Sequence, residues 1–263
     1  ALLFLVVSGS SGRAESPYEV HLPIDVGATV LLAGGAAVFQ FTAPDSFHLG
    51  CHPCDETTVN ALDRWAVGEE NQAIAAVTDG LLALAMASPV IISGLEGLMV
   101  EQEGAVSGWL TDSLVAAEVL ASTLFLTQVA KHVVQRQRPY TYALEDDGSA
   151  HVPFDASRSF FSGHTAAAFA GAVAMATTLS RRNVSAGVRT AAWTGGLLLA
   201  SGVGVGRVLA AKHFPTDVLT GAAVGAALGW FIPWLHARSV DESTRVGPEV
   251  EVVVGPLGLS GTF

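Results

Sequence analysis

The amino-acid sequence predicts an all-α polytopic membrane protein, a bundle of about five to six membrane helices. Half of the 263 residues are hydrophobic, only 14% are charged, and the mean hydropathy is +0.46. Soluble domains carry charge on about a quarter of their residues. Long apolar stretches recur along the chain, and most approach the ~20 residues that a membrane-spanning helix needs. They lie near residues 26–42, 73–100, 108–130, 164–180, 187–211 and 216–236. A soluble helical bundle is the alternative interpretation.

The charge distribution favours an anionic substrate and argues against nucleic-acid binding. A net charge of −11 argues against nucleic-acid binding, which requires a basic face. Up to Leu126 the only Lys or Arg residues are Arg13 and Arg64. Further along the chain, cations cluster around the motifs described next, at Lys131, Arg136, Arg138, Arg158, Arg207 and Lys212. A cationic pocket in an acidic protein is typical of anion binding.

Three short segments, far apart in the sequence, carry the residues of one candidate phosphate site. They supply three cations, a serine–glycine helix start, two histidines and a carboxylate. In chain order these residues are Lys131, Arg138, Ser162, Gly163, His164, Arg207, His213 and Asp217. This set covers what phosphate-ester hydrolysis through a phosphohistidine requires, and it includes no metal-ligand set. We therefore expect a metal-independent reaction without a cofactor.

The ordered segments K-x6-RP, SGH and R-x5-H-x3-D resemble the type 2 phosphatidic acid phosphatase (PAP2) superfamily, which also contains bacterial acid phosphatases and vanadium haloperoxidases. The resemblance covers roughly residues 110–236 and implies a PAP2/haloperoxidase-like helical core. Two positions depart from the usual pattern. Phe161 stands where the family usually has Pro, and Gly206 stands where it usually has Ser. Neither position carries the reacting proton or the bond to phosphorus, so we expect activity to be retained.

The resemblance also implies a role for each residue. His213 would attack phosphorus through Nε2, while Asp217 would hold the proton on the other ring nitrogen. His164 would protonate the leaving alcohol and then activate water. The phosphate oxygens would be bound by Lys131, Arg138, Arg207, Ser162 and the Gly163 amide.

Local sequence signals predict where these residues lie. A third helix over about 108–137 would carry Lys131 and Arg138 on one face, because they are two turns apart. Ser162 is a natural N-cap for the fourth helix, whose positive end would then point at a bound anion. Pro215 interrupts the chain, and Thr216 would cap the sixth helix. His213 would lie on the exposed loop before it.

The sequence divides into four segments. Residues 1–14 resemble a secretory signal, 15–107 hold the first helices and a Cys-containing external loop, 108–240 form the catalytic core, and 241–263 form a polar, extended tail. Within the Cys-containing loop, the Cys51 and Cys54 pair favours a structural disulfide. A zinc site with His48 and His52 is a second interpretation, and a redox site lacks the usual βαβ scaffold.

Charge asymmetry between loops predicts the orientation in a bacterial-type cell membrane. Arg181, Arg182 and Arg189 mark the loop between the fourth and fifth helices as cytoplasmic, so the motifs would face the periplasm or exterior. A cleaved N-terminal signal followed by six crossings would instead put the motifs in the cytoplasm. We therefore expect segment 26–42 to lie at the interface or fold over the bundle.

The resulting functional hypothesis is a membrane phosphatase that acts on a lipid phosphate or diphosphate, such as phosphatidate, phosphatidylglycerophosphate or a polyprenyl diphosphate. A vanadium haloperoxidase, a lipid phosphotransferase and a non-catalytic membrane scaffold are the alternatives. The sequence does not indicate an oligomeric state. Three acidic residues lie inside apolar stretches, where we expect structural hydrogen bonds: Asp79, Glu96 and Glu118.

Overall fold

The structure is a computed structural model that describes residues 16–41, 51, 54–99, 104–144, 155–182, 184–238, 253–255 and 258–260. The signal-like segment 1–14, His48, His52 and most of the 241–263 tail lie outside these residues, and so does the side chain of Glu96.

Six helices form the described fold, in agreement with the predicted all-α class. They are α1 Leu22–Phe41, α2 Gln72–Met99, α3 Ala105–Val134, α4 Gly163–Arg181, α5 Ala186–Leu209 and α6 Pro215–Leu235. Short 3-10 helices cover Glu56–Thr58, Arg64–Ala66 and Pro139–Ala143. In the tail, strands β1 (Val253–Gly255) and β2 (Gly258–Ser260) pair in antiparallel fashion.

Five of the helices, α1, α2, α3, α5 and α6, are long and apolar enough to cross a membrane. Helix α4 is the sixth, and it lies at the centre of the bundle against α2, α3, α5 and α6. Its alanine-rich surface is mostly buried by these neighbours. Because α4 is shielded from lipid by the other helices, it needs small side chains for packing more than bulky apolar ones. The chain is a multi-pass membrane protein.

The bundle has two distinct ends. The motif end holds the end of α3 and the starts of α4 and α6. At the opposite end, a bridge joins Tyr18 to Ala237, and the backbone N–H of Glu19 donates to the carbonyl of His236 at 2.8 Å. An ion pair between Arg182 and Asp112 lies at the same end, and Asp112 also accepts a hydrogen bond from Ser93.

Helix α1 corrects our expectation for segment 26–42. It is a continuous helix of 20 residues that packs along α3, and its mean hydropathy of 1.8 is that of a spanning segment. Near its end, Gln128 of α3 donates to Gln40 at 2.7 Å. The interface interpretation was wrong because the apolar stretch begins earlier, at Leu22, and is long enough to span. Residues 16–21 therefore lie at the end of the bundle opposite the motifs.

The ends of α3 and α6 also differ from the prediction. Helix α3 stops at Val134, because Gln135 adopts a left-handed conformation with φ of 48°. The N–H of Gln135 donates the last hydrogen bond of the helix, to the carbonyl of Lys131. Arg138 thus follows the helix and does not share a helical face with Lys131. Helix α6 begins at Pro215, a residue type favoured at the first helical position, so Thr216 lies inside the first turn and is not the cap.

Helices α6 and α4 approach closely along a row of glycines spaced four residues apart. A Cβ atom would lie 2.6 Å from the Ser162 carbonyl oxygen if added at Gly221 and 2.0 Å from that of Ala166 if added at Gly225. At Gly229 it would lie 2.5 Å from the carbonyl oxygen of Ala170. Any side chain in this row would collide with the α4 backbone, so the glycines fix the distance between the two helices.

We expect Gly225→Ala to destabilise the protein by about 1–3 kcal/mol, the usual cost of overpacking a close contact. The measurement is thermal unfolding of the detergent-purified protein. Gly202→Ala on α5 is the matched control, since nothing lies within 4 Å of an added Cβ there. Equal unfolding temperatures for the two variants would contradict the close contact.

Candidate active site

The three motif segments converge at one end of the bundle around a cavity of about 280 Å³. The cavity lies between α1, α2, α3 and α4. Its lining combines a cluster of cationic side chains with apolar side chains from α2, α3 and α4. The charged lining residues are Lys131, Arg138, Asp155, Arg158, His164 and Arg207, and the apolar ones include Leu82, Met86, Leu124 and Ala167. The structure thus brings together motif residues that are far apart in the sequence. Lys131 and Arg207, which both line the cavity, are 76 positions apart.

Backbone and carboxylate contacts hold the motif arginines in place. Arg138 donates from Nε to the carbonyl of Asp155 at 2.9 Å, and its Nη2 lies 3.0 Å from the Asp155 carboxylate. Burial raises the pKa of Asp155, but the positive charges of Arg138 and Lys212 outweigh it and hold that pKa below its usual value. Arg207 donates from Nη1 to Thr78 at 3.3 Å, while its buried Nε makes no hydrogen bond within the described residues.

The start of α4 borders the cavity. Ser162 caps the helix by accepting from the N–H of Thr165, as predicted. A Cβ added at Gly163 would lie 2.9 Å from Thr127 and 3.7 Å from the Lys131 ammonium, so glycine allows α4 to begin directly beside α3. Gly163 lines the cavity, whereas Ser162 is fully buried behind it and is not a lining residue.

His213 is buried, with only 1% of its surface exposed, in contrast to the exposed loop position that we expected. Its Nδ1 lies 2.8 Å from the carbonyl oxygen of Ser159. A carbonyl only accepts, so Nδ1 carries the proton and the lone pair resides on Nε2. Burial, followed by the positive charges of Arg138 and Lys131, holds the pKa of His213 well below its usual value, and the imidazole is neutral.

Asp217 contacts His213 less directly than we predicted. Its Oδ2 is 3.8 Å from Nδ1 of His213, beyond hydrogen-bond distance. The same oxygen accepts from Ser159 Oγ at 2.6 Å and from the N–H of Phe214 at 2.9 Å. Asp217 therefore positions both the residue whose carbonyl binds His213 and the chain that follows it, and its negative charge lies near the ring.

A second group of residues, for which the sequence predicted no role in the site, holds Asp217 in place. Arg136 donates to Asp217 at 2.6 Å and to Asp63 at 2.7 Å, and Asp63 accepts from Thr216 at 2.6 Å. Burial raises the pKa of Asp63, but hydrogen bonds from Thr216 and Arg136 leave it below its usual value. Arg136 had the sequence signature of an ordinary helix-end cation, and Asp63 lies 73 residues away, so neither carried a recognisable signal.

Asp79 was expected to make structural hydrogen bonds inside the bundle, but it lies at the site. Its Oδ1 is 2.8 Å from Nε2 of His164 and 3.2 Å from Nη1 of Arg207. The sequence feature that could have indicated this is a carboxylate within an apolar helix, which often marks a functional residue. Glu118, by contrast, lies 3.3 Å from His236 and away from the motifs.

The two cysteines lie in the connection between α1 and α2, which also carries Asp63 to the site. Cys51 and Cys54 form a disulfide with a Cα–Cα distance of 4.9 Å. Thiols joined in this way are not available as zinc ligands, so the structure agrees with the disulfide interpretation and not with the zinc site.

A comparison with protein families matches the part of the chain that carries the three motif segments. The sequence profile of the PAP2 superfamily matches residues 112–241. The chain belongs to the PAP2 superfamily. Among solved structures it is similar to a crystal structure from Bacillus subtilis, described as the first transmembrane PAP2 type phosphatidylglycerolphosphate phosphatase, with 20% sequence identity. The similarity covers 80% of this chain and 94% of the other, at a TM-score of 0.47. Comparison with curated proteins gave no match.

Two consequences follow from the matched range. Helices α1 and α2 lie outside the PAP2 profile, yet Gln40 and Met86 from these helices line the cavity. Asp79, which contacts the motif residues His164 and Arg207, also lies outside it, and so does Asp63, which contacts Arg136 and Thr216. The site is therefore completed by parts of the chain that the family motifs do not include.

The buried neutral His213 predicts a pH-dependent stability. Its pKa is lowered in the folded protein, so below its unfolded value of ~6.5 the unfolded state binds the extra proton and folding stability falls as the pH falls. We expect this loss to approach ~1.4 kcal/mol per pH unit from His213 alone. Thermal unfolding between pH 7 and pH 5 should therefore show a steeper decline for the wild type than for His213→Gln. Parallel curves would mean that His213 is not held neutral.

Proposed function

We propose that this PAP2 protein is a membrane phosphatase that hydrolyses a lipid phosphate or diphosphate through a phosphohistidine intermediate. The observation that carries the proposal is the state of His213: Nδ1–H is bound to the Ser159 carbonyl, and the lone pair of Nε2 is left for attack. A neutral imidazole surrounded by fixed cations is suited to attack an anionic phosphate, because the cations offset the substrate charge.

In the first step, Nε2 of His213 attacks phosphorus and the bond from phosphorus to the leaving oxygen breaks. His164 donates a proton to that oxygen, so the product leaves as an alcohol, or as a phosphate when the substrate is a diphosphate. The phosphorylated ring becomes cationic. The Ser159 carbonyl at 2.8 Å and the Asp217 carboxylate at 3.8 Å stabilise this charge.

In the second step, water attacks the phosphohistidine. His164, now neutral, accepts a proton from the water, and the bond between phosphorus and Nε2 breaks. Inorganic phosphate and neutral His213 result, so the enzyme returns to its starting state. Since His213 does not line the cavity, the substrate phosphate must enter between the cations to reach it.

Lys131, Arg138 and Arg207 are assigned to the non-bridging phosphate oxygens. Arginine suits this role because its planar guanidinium can bind two oxygens at once. These cations supply the positive charge that divalent ions supply in other phosphatases, so we expect turnover to be insensitive to EDTA. Vanadate, which resembles phosphate in the transition state, should inhibit.

The apolar side chains of the cavity support an amphiphilic substrate. Leu82, Met86 and Leu124 come from helices that we assign to the membrane, and they face the same space as the cations. With the phosphate of a lipid bound to the cations, the hydrocarbon portion of that lipid would contact these apolar side chains, where its burial is favourable. The proposed substrate is therefore a lipid phosphate or diphosphate presented from the bilayer.

We further propose that the motif end faces the periplasm or cell exterior. Arg181, Arg182 and Arg189 lie near the connection between α4 and α5, at the opposite end of the bundle, and cytoplasmic loops are enriched in such residues. The disulfide at the motif end agrees with an oxidising compartment.

The orientation is tested by labelling introduced cysteines in intact cells, in a background where Cys51 and Cys54 are replaced by Ser. A membrane-impermeant maleimide should label Glu56→Cys at the motif end without permeabilisation. Gly187→Cys, at the start of α5, should react only after the cells are permeabilised. The reverse pattern would place the site in the cytoplasm.

Catalysis is tested by phosphate release from a panel of lipid phosphates and diphosphates by detergent-purified protein. We expect His213→Asn to lower the rate by at least about 10³-fold, because it removes the nucleophile. His164→Ala should also lower the rate, since it acts in both steps. Arg189→Ala, which removes an exposed cation at the opposite end, is the matched control and should retain wild-type activity. Substantial turnover by His213→Asn would rule out the phosphohistidine pathway.

A further inference from the structure

The Asp79 carboxylate contacts two motif residues although it belongs to α2, outside the PAP2 match. It lies 2.8 Å from Nε2 of His164 and 3.2 Å from Nη1 of Arg207. The Asp79 side chain is 59% exposed, so it is not held there by burial in the helix packing. It borders a second, polar cavity of about 340 Å³ that His164 and Arg207 also line.

The contact with Asp79 determines which nitrogen of His164 can react. A carboxylate only accepts hydrogen bonds, so Nε2 of His164 must carry a proton. Within the described residues, Nδ1 of His164 makes no hydrogen bond, and it is the nitrogen left to exchange a proton with a substrate. A carboxylate at this distance also stabilises the imidazolium, which is the form that donates a proton.

We propose that Asp79 is a positioning residue for His164: it fixes the Nε2–H tautomer and favours the protonated ring that acts on the leaving group. This inference rests on the proposed phosphatase function. In the first step the proton on Nδ1 passes to the leaving oxygen as the bond to phosphorus breaks, and the Nε2–H remains bound to Asp79. In the second step Nδ1 takes a proton from water, and the carboxylate stabilises the imidazolium that forms.

A simpler role for Asp79 is that of a counter-ion for Arg207. The two roles predict different effects of removing the Asp79 carboxylate on substrates with different leaving groups. Releasing Arg207 from its counter-ion changes phosphate binding, and the change is the same for every monoester. Losing a positioned general acid slows only substrates whose leaving group needs a proton.

The experiment compares kcat/KM for dioctanoyl phosphatidate, whose leaving alkoxide needs a proton, with p-nitrophenyl phosphate, whose leaving phenolate does not. Because kcat/KM reports on events up to the first irreversible step, breakdown of the phosphohistidine does not enter. We expect Asp79→Asn to lower kcat/KM by about 10²-fold for phosphatidate and by less than about tenfold for p-nitrophenyl phosphate. Asp79→Glu, which keeps the carboxylate, should restore most of the activity towards phosphatidate.

Glu70→Gln is the matched control. Glu70 lines the same polar cavity but pairs with Lys212 at 2.5 Å, so its loss should change neither value. Equal losses on the two substrates in Asp79→Asn, or no loss, would overturn the inference. If Asp79→Asn does not fold, Asp79→Ser removes the same carboxylate. It is judged by the same comparison, the loss of kcat/KM for phosphatidate against the loss for p-nitrophenyl phosphate.

The wild type and His213→Asn, measured on the same two substrates, separate the two proposals. A wild type that cleaves neither substrate, or a His213→Asn variant that cleaves both, would overturn the proposed function itself. An active wild type, an inactive His213→Asn and equal losses in Asp79→Asn would overturn only the role of Asp79.

Discussion

The close approach of α6 to α4 is the constraint on which the site depends. The row of Gly221, Gly225 and Gly229 lets the two backbones approach closely, because a Cβ atom added at any of the three would collide with a carbonyl oxygen of α4. At the end of this contact, the N–H of Ser162 donates to the carbonyl of Asp217 at 3.1 Å. The first turns of α4 and α6 are thus joined by their backbones. The proposed acid–base residue His164 and the proposed nucleophile His213 are positioned by these two turns.

Placing several cations in one partly buried cavity has an electrostatic cost, and the structure offsets it with carboxylates. Asp155 pairs with Arg138, and Asp79 pairs with Arg207. Lys131 has no such carboxylate partner among the described residues, and it lies beside the start of α4. A bound phosphate would therefore neutralise the positive charge that remains in the cavity. This electrostatic contribution to binding would not depend on the rest of the substrate.

Most of the fold was predictable because it depends on local properties of the sequence. Apolar stretches identified all six helices, and Ser162 identified the start of α4. The errors arose where tertiary contacts decide the end of a helix or the hydrogen-bond partner of a side chain. The left-handed Gln135 ended α3 before Arg138, and the approach of Ser159 to His213 replaced the expected bond from Asp217. The contacts of Arg136, Asp63 and Asp79 at the site were not predicted, because their partners are 73 or more residues away and no local sequence pattern indicates a contact over that separation.

The bridge between Tyr18 and Ala237 shows that the chain returns, after six helices, to the end of the bundle from which α1 starts. The segment before α1 and the segment after α6 meet at the end of the bundle that also holds the connection between α4 and α5. If the segment after α6 were joined to the segment before α1, and the chain were opened in the connection between α4 and α5, every helix would keep its present crossing direction. The order of helices in the sequence is thus one of several that this architecture could accommodate, and the geometry of the site depends on how the helices pack more than on their order in the chain.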